Sequence, residues 1–154
     1  MIYRVLPLLA AAVLAAYAQE STVSTPPKSD LPYLKHAGNL VPAELVQAQE
    51  QQKKDESTYV IAGAASSAKT PLAMPIFIFA SNKIPPESLQ LFKLEAKNDH
   101  REITIGKKGP EAIRLQVTHL SGNLYRIEVY NELEPGEYSL SPNNSSLAFC
   151  FAVF

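Results

Sequence analysis

From Ser57 onward, apolar residues recur at every second position in short runs broken by Gly, Pro, Asn and Ser. Alternation of this kind fits strands, whose successive side chains point to opposite faces, and not the 3.6-residue stripe of a helix. The pattern predicts strands at 57–62, 75–80, 89–95, 101–106, 112–118, 124–130, 136–141 and 146–153. Short strands at regular spacing, with turn signals between them, predict an all-β antiparallel sandwich or barrel.

The last strand is the most restrictive. Leu147, Phe149, Phe151 and Val153 alternate with Ala148, Cys150 and Ala152, so both faces are apolar. Such a strand is expected to be central, or covered on both sides.

Parity sets the register of two hairpins. In 112–118 the apolar side is Ile113, Leu115 and Val117; in 124–130 it is Tyr125, Ile127 and Val129. A three-residue loop at Ser121-Gly122-Asn123 pairs Leu120 with Leu124 and Val117 with Ile127. The polar face then sets Gln116 against Glu128 and Arg114 against Tyr130, and His119 falls on the core face beside Tyr125. Turning 89–95 into 101–106 at Asn98-Asp99 pairs Leu94 with Ile103 and Phe92 with Ile105. It also opposes Glu95 to Glu102, which is unfavourable.

The chain ahead of these strands divides into three parts. Residues 1–18 read as a secretory signal peptide, with Arg4 as the positive end and Val5 to Ala16 as the apolar run. Ala16-Tyr17-Ala18 is the small-residue cleavage site, so the mature chain is expected to begin at Gln19. The apolar run is shorter than the roughly 20 residues that span a bilayer. Residues 19–30 are Ser-, Thr- and Pro-rich and read as a flexible leader. Residues 31–56 read as a polar arm. Pro42 and Glu44 suit a helix start and Lys53-Lys54 a helix end, so a short helix is predicted over 42–55. A single sandwich domain is expected over 57–154.

Composition removes several functions. Without Arg4 the chain carries 13 basic and 15 acidic residues, and no basic segment suggests a nucleic-acid or anionic-membrane partner. Cys150 is the only cysteine, so an intrachain disulfide framework and Cys-rich zinc sites are absent.

Leu133-Glu134-Pro135-Gly136-Glu137-Tyr138 resembles the tyrosine corner of immunoglobulin-like and fibronectin-like sandwiches. There a Tyr hydroxyl bonds back to upstream backbone. The resemblance implies an immunoglobulin-like antiparallel β-sandwich, with Leu133, Pro135, Gly136 and Tyr138 forming the structural corner. A wider resemblance rests on four segments: D-x-P-Y-L-x-H-A at Asp30 to Ala37, Arg101-Glu102-Ile103 with Gly106, Leu133 to Tyr138, and F-x-F-x-V at Phe149 to Val153. Over about residues 30–154 the chain resembles small uncharacterised exported proteins of Acidobacteria-type bacteria. That resemblance implies a bacterial envelope or secreted location and brings no activity.

Chemistry-bearing motifs are sparse. His36, His100 and His119 lack a second His at metal-binding spacing. No nucleophile elbow, P-loop or dinucleotide fingerprint occurs. The densest oxygen cluster is Glu95, Asn98, Asp99 and Glu102, whose carboxylates Glu95, Asp99 and Glu102 are weak Ca²⁺ candidates without EF-hand spacing. No catalytic residue, cofactor or resident metal is therefore assigned from sequence. The expectation is an exported non-catalytic binding or structural module of the periplasm or cell exterior, with a protein partner in the envelope. An exported hydrolase with dispersed catalytic residues is the alternative.

Overall fold

The computed structural model describes residues 23–154. The export signal expected at 1–18, and residues 19–22 of the leader, lie outside the described residues. Thirteen strands and one 3₁₀ turn (Pro86–Ser88) follow in order. The first six are β1 (Tyr33–His36), β2 (Asn39–Pro42), β3 (Glu44–Gln47), β4 (Gln49–Lys53), β5 (Glu56–Ala62) and β6 (Lys69–Thr70). The others are β7 (Ile76–Ala80), β8 (Leu89–Ala96), β9 (His100–Gly106), β10 (Leu115–Ser121), β11 (Leu124–Val129), β12 (Gly136–Pro142) and β13 (Leu147–Val153). The described residues are nearly all β, with antiparallel sheets and one short parallel pairing of β6 with β13.

Two sheets form the sandwich. The smaller runs β10-β11-β7-β1-β2 and the larger β3-β13-β12-β8-β9-β5-β4, with β6 alongside β13. Between them lies the main core. Phe77, Phe79, Ile127 and Leu34 come from the smaller sheet, and Leu91, Tyr138, Leu140, Phe149 and Phe151 from the larger. Phe151 meets Phe77 edge-on at 4.9 Å and stacks on Tyr138 at 5.5 Å. Truncating either phenylalanine of β13 to Ala would cost about 3–5 kcal/mol.

The larger sheet closes on itself. Only Ala48 separates β3 from β4, so one continuous segment pairs with β13 at one margin of the sheet and with β5 at the other. The enclosed face forms a second core of Ala48, Ile61, Phe92, Leu94, Ile103, Ala148 and Cys150. This explains why β13 is apolar on both sides. Phe149, Phe151 and Val153 serve the main core, while Ala148 and Cys150 serve the second.

The helix predicted over 42–55 does not form, and 31–56 is not a separate arm. These residues supply β1 to β4 and part of both sheets. Their Ala, Glu, Gln and Lys favour a helix in isolation, but a helix here has no apolar stripe to bury. As strands the same residues gain ladders to β13 and β5, and Glu44, Val46 and Ala48 alternate onto the enclosed face. Tyr33–His36 and Asn39–Pro42 form a hairpin whose two-residue turn places Ala37 and Gly38 at φ +48° and +81°. Positive φ at both positions is what a tight hairpin of this kind needs.

Two register details also differ. The β10–β11 ladder pairs Val117 with Ile127 and Gln116 with Glu128, as parity requires. It then shifts at Leu120, and Ser121 rather than Leu120 faces Leu124. The bulge carries Leu120 onto a small cluster of Ile78, Ala80 and Leu124. β8 and β9 pair in the expected register, but only at Glu95–Glu102 and Ala96–Arg101. Beyond that the strands part, because β8 takes Ile113 on that edge (Ile113 N–H to Leu91 O, 2.7 Å) while β9 continues along β5.

Candidate functional site

The second core has a plugged end and an open end. Arg101 plugs the first. Its side chain is 1% exposed and its Nη2 donates to Glu44 Oε1 at 2.7 Å and to the Ala62 carbonyl at 3.0 Å. Nε donates to the Gly63 carbonyl at 2.8 Å. Glu137 Oε2 stands 3.8 Å from Nη1, which has no hydrogen-bond partner. Both carboxylates also accept backbone N–H groups from the loop after β5, Glu44 from Ser67 at 2.9 Å and Glu137 from Ser66 at 3.1 Å. Burial alone would raise the pKa of Glu44; the bonds from Arg101 and Ser67 outweigh it and hold the group below the usual carboxylate range. One guanidinium thus joins β3, β5, β9 and β12. Charge-assisted bonds of this type hold geometry, and all their partners are internal.

Cys150 lies on the same enclosed face, fully buried. Burial pushes its thiol up to about 12, so it stays protonated and behaves as a small core residue.

At the open end, where β8 and β9 diverge, a cleft of about 140 Å³ enters the second core. Its floor is Ile61, Phe92 and Ile103, with Ala48 and Ala148 at the sides. Its rim carries Gln90, Tyr59 and the serines of β12 and of the β12–β13 loop. Ser139, 4% exposed, shares a 2.6 Å hydrogen bond with Ser141. No charged side chain lines the cleft. Sequence parity did not reveal it, because strands 89–95 and 101–106 were expected to stay paired across this gap.

The acidic hairpin tip is arranged around cations of the chain itself. Glu95 and Glu102 do stand opposite each other. Lys97 Nζ lies 2.5 Å from Glu95 Oε1 and 3.8 Å from Glu102 Oε1. His100 is not freely solvated: Nδ1 contacts Asp99 Oδ1 at 2.6 Å and Nε2 contacts Glu102 Oε2 at 3.1 Å. The bond to Asp99 first, and then that to Glu102, raises the His100 pKa, and the His100–Asp99 bond lowers that of Asp99. The like-charge conflict that made Glu95, Asp99 and Glu102 Ca²⁺ candidates is thus relieved internally. Among the described residues no group of three His, Cys, Asp or Glu is placed to hold a metal ion.

The other histidines stand apart. His36 ends β1 and is exposed. His119 is exposed rather than set in the core, 5.1 Å from the Tyr125 ring, and its Nε2–H donates to the Gly122 carbonyl at 2.8 Å. His100 borders a shallow depression with Asp99, Gln47, Gln49, Val60 and Ala62, which contains no hydroxyl or thiol.

The corner residues converge. Tyr138, 1% exposed, donates its hydroxyl to the Glu134 carbonyl at 2.7 Å, and Leu133 is buried. Pro135 is exposed. Gly136 leaves room for Lys93, since a Cβ there would stand 3.1 Å from the lysine Cε. Asp30 forms a second staple that the sequence did not disclose. Its carboxylate accepts the backbone N–H groups of Asn82, Lys83 and Ile84 at 2.8–3.0 Å. Among the described residues no helix is long and apolar enough to cross a membrane.

No protein-family profile, curated protein or solved structure matches this chain.

Proposed function

We propose that the protein is an exported, non-catalytic β-sandwich of immunoglobulin-like character that binds a partner in the periplasm or at the cell exterior of a bacterium. The observation that carries this reading is the division within the second core. Charged groups are consumed at its plugged end, while the open end presents a neutral cleft with an apolar floor and a hydroxyl rim. An apolar floor with a few polar groups at the rim is the usual lining of a small-molecule binding site, and this one carries no charged acid or base. The Tyr138–Glu134 corner supports the immunoglobulin-like description, and the apolar run after Arg4 supports export. The hydrolase alternative is the less supported reading, since the depression beside His100 holds no hydroxyl or thiol for a Ser- or Cys-type nucleophile.

Expression of the full chain in a bacterial host tests the reading. A product with the mass of Gln19–Phe154 in the osmotic-shock fraction, inert toward ester, glycoside and peptide substrates, is the expected result. Retention of residues 1–18 on cytoplasmic protein would refute export. Hydrolysis that vanishes in His100→Ala would establish the enzyme instead.

A further inference from the structure

We propose that the cleft of the second core is a binding site for one small neutral aromatic group carrying a hydrogen-bond donor, such as a phenol or an indole. The inference rests on reading this cleft as the binding face and adds the ligand's chemical class. Size sets the first limit. A space of about 140 Å³ matches an engineered apolar cavity of about 150 Å³ that takes up benzene. Two fused rings, as in indole, fit with one edge left in the open mouth of the cleft.

The lining sets the second limit. Phe92, Ile61 and Ile103 supply an apolar floor, and Phe92 offers an aromatic partner for edge-to-face contact. With no charged residue in the wall, an ionic ligand would lose hydration without gaining a counter-charge.

The serine pair sets the third. Ser139 and Ser141 occupy the enclosed face of β12, opposite Phe92 and Gln90 of β8. Here two hydroxyls meet at 2.6 Å beside the apolar floor of Phe92, Ile61 and Ile103. Their mutual bond uses one hydroxyl hydrogen, and lone pairs on both oxygens remain to receive an O–H or N–H from a ligand. Ala48 and Ala148 keep the space open, since any longer side chain at either position would enter it.

The test is a titration of the ¹⁵N-labelled protein with phenol, indole, toluene and benzoate. Phenol and indole are expected to give saturable shifts at Gln90, Phe92, Ser141 and Ala148, with a Kd on the order of 1 mM for probes this small. Benzoate is expected to give none. Ala148→Leu fills the space and is expected to abolish the response. Ser141→Ala, at a half-buried rim position, keeps the test informative if that variant fails to fold; it is expected to weaken phenol roughly three- to tenfold and leave toluene unchanged. Absence of saturable shifts in the native protein, an equal response to benzoate, or full phenol binding in a folded Ala148→Leu protein would overturn the proposal. None of these outcomes bears on export or on the absence of hydrolysis, which the fractionation and substrate assays read separately.

Discussion

Arg101 Nη2 sits 2.7 Å from Glu44 Oε1, and the bond joins a residue that looked like the start of a solvent-exposed helix to one in the middle of the larger sheet. The pair is the anchor that draws the 44–53 segment over the second core. Removing one partner strands the other in a poorly hydrated site. Arg101→Ala is therefore expected to cost about 3–5 kcal/mol in urea unfolding. Glu44→Gln should cost less, since Glu137 stays near the guanidinium. A double-mutant cycle should give a coupling of about 1–3 kcal/mol. Additive effects would show that the pair does not act as a unit.

Asp30 supplies a pH-dependent staple. Burial raises its pKa, but three backbone N–H groups of the 82–84 loop together outweigh this and set the folded value below the ordinary one. A depressed carboxylate stabilises the fold above its unfolded pKa, and the contribution disappears as pH falls through the folded value. The native protein should therefore lose stability below about pH 4 by a component that Asp30→Asn lacks. At neutral pH that substitution is expected to cost about 1–2 kcal/mol. Equal acid profiles for the two proteins would contradict the assignment.

His100 has the opposite sign. Its pKa is raised by Asp99 and then Glu102, so its contribution is fully present below the unfolded value near 6.5 and is lost as pH rises through the folded value. The thermal midpoint of the native protein relative to His100→Ala should fall between about pH 6 and 8. In an NMR titration, Glu102→Gln should lower the His100 pKa. An unchanged value would remove Glu102 from the cluster.

Cys150 should be silent while the protein is folded. With its thiol raised to about 12, it is expected to resist a disulfide reagent at mildly alkaline pH and to react at once in denaturant. Labelling of the native state at a rate faster than global unfolding would place the thiol outside the second core.

Most strands from Ser57 onward were legible because one face is more buried than the other, while β7 and β13, buried on both faces, stood out as short continuous apolar runs. Parity even recovered the Val117–Ile127 and Glu95–Glu102 pairings. The 44–53 segment was not legible. Its enclosed face carries Glu44, Val46 and Ala48, and the glutamate belongs there only because Arg101, 57 residues away, meets it. A polar composition rich in helix formers concealed a period of two. The cleft was hidden for a related reason: strand pattern fixes which side chains share a face, not where two paired strands separate. The apolar doubling of β13 was the one sequence sign of a second core. It predicted cover on both sides without saying that the sheet itself would supply the second cover.

The segment 44–53 therefore offers the most direct test. Nuclear Overhauser contacts of its backbone distinguish strand from helix without reference to function. Cross-strand contacts from Val46 to Ala148 and from Gln51 to Thr58, with slowly exchanging amides between them, are the predicted result. Sequential helical contacts over 42–55, or rapid exchange with neither cross-strand contact, would contradict closure of the larger sheet and remove the second core with it.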